Sequence, residues 1–200
     1  MENSWKTITG NLYKGVQIQI YCNIAVAVFA VIAFFATIGD LAKGDIFGAV
    51  TWGFWDYMEF FASIGAIYGF WIFFSNIKPW QAICAEGDAK TIGSIYTATI
   101  LQMIGILLGF IPFIGIIGAI LNIVAWVMLL MAYSNLKNSS TFPTKAKEGS
   151  EKIYTAMILS LAGAIIGWIP FIGFIGGILS ICALVMTIKG WKFIAEAEVE

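Results

Sequence analysis

The sequence predicts an all-α fold in which six helices cross a membrane as three antiparallel helical hairpins. The first observation behind this prediction is composition, because 60% of the 200 residues are apolar and only 12% are charged. Soluble domains have roughly 45–50% apolar and about 25% charged residues. The second observation is a set of long, charge-poor segments, and the third is an internal repeat within them. Together they predict one transmembrane domain over residues 1–200, with the lipid bilayer as its main partner.

The first hairpin is predicted at about residues 16–78. The apolar run from Val16 to Ile38 is long enough for one crossing, because about 20 residues span about 30 Å of hydrocarbon. It is longer than the usual 7–15-residue core of a signal peptide, so it is predicted to remain as a helix. The polar stretch at 39–45 predicts a turn that reaches water, and Phe47–Ile77 contains the second crossing.

The second and third hairpins are predicted at about residues 91–137 and 152–194. Each contains an apolar stretch of some forty residues, which is enough for two crossings. Polar linkers at 79–90 and 138–151 separate the three hairpins.

Residues 95–121 and 153–179 are an internal repeat with a constant spacing of 58, since 17 of the 27 aligned positions are identical. Both copies contain nearly the same seven residues, GFIPFIG at 109–115 and GWIPFIG at 167–173. The segment around Ser75–Lys78 resembles Ser134–Lys137 and predicts a diverged third copy. Three hairpins pointing the same way would be parallel repeats around an axis along the membrane normal.

The repeated heptapeptide predicts a tight turn between antiparallel helices. Proline lacks the N–H that a helix needs, and a glycine before it permits the left-handed residue that ends a helix. The predicted turn residues are Pro112, Gly115, Pro170 and Gly173. The helices entering the turns have about 16–19 apolar residues, which is short for a full crossing, so re-entrant hairpins are the alternative.

Each predicted hairpin also contains two glycines separated by three residues. Such pairs let a second helix backbone approach closely, within one chain or between chains. The pairs are Gly65 and Gly69, Gly105 and Gly109, and Gly163 and Gly167.

Lysine distribution predicts the orientation. With six crossings, ten of the 11 lysines share one side with both termini and both linkers, and only Lys43 lies on the other. Cytoplasmic loops are enriched in lysine and arginine, so both termini are predicted to be cytoplasmic. The glycine-pair and IPFIG pattern resembles hairpins in small bacterial membrane proteins. That resemblance implies the bacterial cytoplasmic membrane and no particular activity.

The residue inventory argues against catalysis. The chain has no histidine and no arginine, which excludes a histidine base and a bidentate arginine clamp. The three cysteines are far apart and form no CxxC motif, so no metal site and no cofactor are expected. A net charge of −1 argues against a nucleic-acid partner. We therefore expect a protein that is not an enzyme.

Asp56 and Glu59 are the acidic residues inside an apolar stretch, and their spacing places them on one face of a helix. One interpretation is an ion or proton site that faces a cavity. The other places both residues at the outer membrane interface, within a belt of aromatic residues.

Two functional hypotheses follow. The first is a non-enzymatic multi-pass membrane protein that acts through homo-oligomerisation, or as a subunit or scaffold of a membrane complex. The alternative is a small ion or proton channel or transporter that uses Asp56 and Glu59. Reconstituted flux would discriminate between them.

Overall fold

The computed structural model describes residues 2–45, 48, 53–109, 111 and 113–198. Within these ranges the chain is all-helical, with six helices and no strand, which confirms the predicted fold class for the described residues. The helices are α1 (Glu2–Ala42), α2 (Phe54–Ala82), α3 (Glu86–Gly109), α4 (Gly115–Asn138), α5 (Thr144–Gly167) and α6 (Gly173–Ala195). All of these except α5 are long and apolar enough to cross a membrane.

The first turns of helix α5 are charged, and its apolar part is short. Five of the nine residues at 144–152 are lysine or glutamate, and a charge-free segment starts only at Ile153. That segment has 15 residues, 153–167, before the helix ends at Gly167. A sixth crossing therefore stays a prediction.

Contacts divide the chain into two compact units. The larger unit comprises Met1–Tyr13 and Phe73–Glu200, and the smaller unit comprises Lys14–Ile72. Both α1 and α2 contribute to each unit, because the division falls inside these two helices.

Helix α1 begins well before the predicted crossing at Val16. Its first turns carry Trp5, Thr9 and Leu12 at helical spacing, and all three side chains are buried in the larger unit. The helix ends in a Schellman motif around Gly44, whose φ is 79°. The Gly44 N–H donates to the Leu41 carbonyl oxygen at 3.0 Å, and the Asp45 N–H donates to the Asp40 carbonyl oxygen at 2.9 Å.

In the smaller unit, α2 lies against α1 at two glycines. A Cβ atom placed on Gly65 would lie 2.6 Å from the Cys22 Sγ. One placed on Gly69 would lie 2.8 Å from the Gly15 carbonyl oxygen. A side chain at either position would therefore push the two helices apart.

In the larger unit, α3 packs against α4, α5 packs against α6, and α4 also contacts α5. A Cβ atom on Gly118 would collide with the Gly105 carbonyl oxygen, and one on Gly176 would collide with the Gly163 carbonyl oxygen. The second pair lies 58 residues after the first, which is the spacing of the sequence repeat.

The described residues of the two heptapeptides share one backbone feature, a left-handed residue at the same position, but it is not the predicted one. Phe113 has a φ of 66° and Phe171 has a φ of 68°, whereas Gly44 is the glycine with positive φ in the described part of the chain. The prediction that Gly109 and Gly167 supply this conformation was therefore wrong. Pro170 lies in the turn between α5 and α6, and Pro112 lies outside the described residues. Gly115 and Gly173 are the first residues of α4 and α6.

Two adjacent glycines of α6 provide a test of this close packing. The Cβ atom of an alanine at position 176 would collide with the Gly163 carbonyl oxygen and would lie 2.6 Å from the Gly167 nitrogen. The Cβ atom of an alanine at position 177 would have no neighbour within 4 Å. Both substitutions stabilise the helix by about 1 kcal/mol, because alanine has a higher helix propensity than glycine. We expect G176A to be about 1–3 kcal/mol less stable than G177A, because overpacking acts only at the first position. Unfolding in mixed SDS micelles, followed by circular dichroism, measures the difference. Equal stability would contradict the packing described here.

Candidate functional site at the connector end of the larger unit

One end of the larger unit brings together chain segments that are far apart in sequence. We call it the connector end and define it as residues 2–13, 80–88, 133–147 and 191–198. The Trp5 indole N–H donates to the Ile194 carbonyl oxygen at 3.1 Å. The ring of Phe142 lies 5.7 Å from Trp5 and 6.1 Å from Trp80, measured between centroids. The first turns of α1, the α4–α5 connector and the last turn of α6 therefore meet here.

Trp191 is at the centre of an aromatic core in the connector end. Its ring lies 5.7 Å from Trp80, 6.3 Å from Tyr133 and 5.2 Å from Phe73, each at a steep interplanar angle. Such edge-to-face pairs contribute about 0.5–1.5 kcal/mol beyond the apolar area they bury. The Trp80 side chain is fully buried, and its indole N–H has no acceptor among the described residues.

A polar contact joins the two connectors across this core. Asp88, in the first turn of α3, is only 4% exposed and accepts a hydrogen bond of 2.7 Å from the Thr141 hydroxyl. The Ser139 hydroxyl accepts the backbone N–H groups of Thr141 and Phe142, both at 3.2 Å, and so shapes the loop that presents Thr141. The Asp88 carboxylate is also favoured by the positive end of the α3 dipole.

Burial controls the chemistry of Cys84 in the α2–α3 connector. The pKa of the Cys84 thiol is raised to about 12, mainly by burial and to a smaller extent by the nearby Asp88 carboxylate. The thiol is therefore protonated at neutral pH, and since the thiolate is the nucleophile, Cys84 is poorly reactive. Among the described residues, no group of three or more histidine, cysteine, aspartate or glutamate side chains is placed to hold a metal ion.

An open cavity of about 620 Å³ lies beside the α4–α5 connector, lined by Ser140, Thr141, Phe142, Pro143, Thr144, Lys145, Lys147, Glu196 and Glu198. Its walls carry both signs of charge. The Lys145 Nζ lies 2.9 Å from the Glu196 Oε2, and the Lys192 Nζ lies 3.7 Å from the Glu196 Oε1. The hydrogen bond from Lys145 lowers the pKa of Glu196. The arrangement can bind a polar surface that carries charges of both signs.

The structure places Asp56 at the start of α2, in the smaller unit. The Gly53 backbone N–H donates to the Asp56 Oδ2 at 2.7 Å, so the carboxylate caps the helix N-terminus. Glu59 lies one turn later and is half-buried. The Trp55 ring stacks on Phe29 at 6.0 Å in the same region. This geometry gives Asp56 a capping role, and an ion-binding role for Asp56 and Glu59 stays a prediction.

The sequence reasoning missed the connector end. Trp5 lay in a polar N-terminal segment, and Asp88 and Thr141 lay in linkers that were interpreted as solvated. A signal was present at Trp5, Thr9 and Leu12, because helical spacing already places these three residues on one face. No comparable pattern identifies Asp88, since its partner is 53 residues away.

Removing the Trp5 side chain tests whether the connector end stabilises the fold. We expect W5A to lower the free energy of unfolding by about 3–5 kcal/mol, because it removes a fully packed ring. The matched control is W168A, since Trp168 is 91% exposed and such substitutions usually change stability by less than about 0.5 kcal/mol. Unfolding in mixed micelles gives both values, and similar losses in the two variants would contradict the assignment.

The Lys145–Glu196 pair predicts a pH-dependent contribution to stability. The pKa of Glu196 is lowered from 4.5, so the contribution is present above pH 4.5 and is lost as the pH falls through the folded-state pKa. Because Glu196 is about 44% exposed, we expect E196Q to cost at most about 1 kcal/mol at pH 7. The difference from the unmodified chain should shrink towards zero as the pH falls below 4.5 and through the folded-state pKa. The control is E148Q, which removes no ion pair found in the described part of the chain. A pH-independent difference would contradict this prediction.

No family model, no curated protein and no solved structure matches this chain. The function must therefore be inferred from the sequence and the geometry alone.

Proposed function

We propose that this chain is an integral membrane protein that acts by assembling, either with further copies of itself or as a subunit of a larger membrane complex. The observation that carries the proposal is the placement of large apolar side chains on the outside of apolar helices. Contiguous exposed apolar surface beyond a few hundred Å² marks a membrane or protein interaction site.

In the larger unit, the exposed apolar side chains are spread along the lengths of α4 and α6. On α4 they are Ile116, Ile117, Ile120, Ile123, Val124, Val127 and Met131. On α6 they are Phe174, Ile175, Ile178, Ile181, Leu184 and Val185. The inner faces of the same helices carry buried Gly118, Ala125, Gly176 and Ala183. Small residues inside and large apolar residues outside are typical of helices packed in lipid.

Burial supports the proposed repeat of two hairpins. Ile95, Ala98, Ala125 and Ala132 are buried, and so are Ile153, Ala156, Ala183 and Gly190 at positions 58 residues later. The third copy has weaker support. Leu136 and Ile194 are 58 residues apart, and Ile77 aligns with Leu136 when Ser75–Lys78 is matched to Ser134–Lys137. All three side chains are fully buried. A lysine also lies over a tyrosine ring twice, Lys78 over Tyr96 at 4.8 Å and Lys137 over Tyr154 at 4.2 Å.

The connector end supports the proposed orientation. It gathers residues near both termini and both connectors. Five of the 11 lysines lie in its segments, and another five lie within five residues of those segments along the chain. The positive-inside rule then places this end in the cytoplasm. In the proposed assembly, the outer faces of the helices contact lipid or neighbouring subunits, and the charged cavity offers a polar contact on the cytoplasmic side.

Single-molecule photobleaching in liposomes tests the proposal. A fluorophore on a C-terminal tag is counted in vesicles prepared over a range of protein-to-lipid ratios, with a genetically tethered tandem copy as the two-step standard. We expect two or more bleaching steps, with a fraction that falls on dilution, because association in lipid is an equilibrium. Purely monomeric behaviour, together with recovery of no associated membrane subunit, would contradict the proposal.

The transport hypothesis has a separate measurement. We expect proton or cation flux in the same liposomes to be indistinguishable from that of empty vesicles. We expect this because the sequence has no histidine or arginine and because the Asp56 carboxylate caps the start of α2. A flux that is present in the unmodified chain and lost in D56N together with E59Q would instead favour the channel.

A further inference from the structure

We infer that two apolar turns, one at Ile111, Phe113 and Ile114 and the other at residues 168–172, end inside the bilayer and present Phe113 and Phe171 to lipid acyl chains. The inference rests on the proposed membrane location and adds an interaction surface to it. We call these segments the apolar tips.

The two phenylalanines make almost no contact with the rest of the chain. Phe113 is 99% exposed and Phe171 is 97% exposed. Their φ values of 66° and 68° lie in the left-handed region, where a bulky side chain is strained and a glycine is not. Both copies of the repeat place the same residue type in the same strained conformation. Both rings therefore face the surroundings of the chain, and moving an apolar ring from water into hydrocarbon is favourable.

The length of charge-free helix places the second apolar tip within the hydrocarbon. From Ile153 to Gly167, α5 has 15 residues without charge, which is about 22 Å at 1.5 Å per residue. From Gly173 to Ile188, α6 has 16 residues, which is about 24 Å. Both values are below the roughly 30 Å of hydrocarbon in a bilayer. With Lys152 and Lys189 at the near surface, the turn bearing Phe171 does not reach the far one.

The first apolar tip lies on longer helices. The 19 residues from Thr91 to Gly109 in α3 extend about 28 Å. The 22 residues from Gly115 to Leu136 in α4 extend about 33 Å. Phe113 is therefore placed at the far boundary of the hydrocarbon, and Phe171 is placed deeper.

The backbone of both apolar tips is suited to lipid because it satisfies much of its own hydrogen bonding. The Ile111 N–H donates to the Leu108 oxygen and the Gly115 N–H to the Ile111 oxygen, both at 3.0 Å. In the second turn, the Trp168 N–H donates to the Ile165 oxygen at 3.3 Å and the Ile169 N–H to the Ile166 oxygen at 3.0 Å. Unpaired backbone groups are costly in hydrocarbon, so paired turns are a condition for insertion.

Spin-label depth measurements in lipid vesicles test the inference on the full chain. Cys22, Cys84 and Cys182 are replaced by alanine, and single cysteines are introduced as F113C, F171C, I123C and E148C. Ile123 is a lipid-side control at 64% exposure on α4, and Glu148 is an exposed water-side control on α5. Power saturation compares accessibility to oxygen, which concentrates in acyl chains, with accessibility to a water-soluble nickel chelate. Circular dichroism verifies that each variant is folded.

We expect the label at 171 to resemble the I123C label, and the label at 113 to lie less deep, at the boundary of the hydrocarbon. We also expect a membrane-impermeant maleimide to react with F171C at least about tenfold more slowly than with E148C, because an apolar surrounding suppresses the thiolate. Nickel accessibility at both apolar tips equal to that at E148C, with I123C still in lipid, overturns the inference and leaves the membrane location intact. Apolar-tip labels shielded from both oxygen and nickel also overturn it, because a second protein copy then covers them. If the I123C label is itself water-accessible, the membrane location fails first and the inference fails with it.

Discussion

The close approach of helix backbones at glycine is the constraint on which the larger unit depends. In lipid, apolar side chains gain little by turning inward, so helices associate through van der Waals contact between closely spaced backbones. Gly118 lies against the Gly105 carbonyl, and Gly176 lies against the Gly163 carbonyl, with no room for a Cβ atom. Because these positions must stay small, the large apolar residues are placed on the outer faces. The exposed isoleucines and phenylalanines are a consequence of how the inside is packed.

The connector end is stabilised in a different way. There the chain buries whole aromatic rings, such as Trp80 and Trp191, and joins its connectors through the Asp88–Thr141 hydrogen bond. Burial of large apolar side chains such as these is favoured by the removal of apolar surface from water. A long α1 joins both kinds of packing, since Trp5 is buried in the aromatic core and Cys22 lies against Gly65. That dual role explains why α1 begins at Glu2 although its apolar run begins near Val16.

The sequence predicts the elements whose cause is local and fails where the cause is a distant partner. The all-α class, the helices on either side of each IPFIG segment, and the matched spacing of 58 follow from apolar length and repeated residues. The burial of Asp88 does not, because an acidic residue in a polar linker is normally solvated and only Thr141 accounts for it. The sequence allows two interpretations of Asp56, because it does not fix the residue at which α2 begins. Once that helix begins at Phe54, the Asp56 carboxylate is within reach of the Gly53 N–H and caps the helix.

The misplaced left-handed residue has the same origin as the close packing. A glycine can serve either as the left-handed residue that ends a helix or as the small surface against which another backbone packs. At Gly167 the backbone itself is closely approached, because a Cβ atom placed on Gly176 would lie 2.6 Å from the Gly167 nitrogen and one placed on Gly173 would lie 3.0 Å from the Gly167 oxygen. A Cβ atom placed on Gly167 would meet nothing within 4 Å. Gly109 has the same two neighbours, Gly118 and Gly115, in the first copy. The reversal of the chain is therefore completed after the proline position, at Phe113 and Phe171. Phe113 and Phe171 thus share one backbone conformation, and both rings are almost fully exposed.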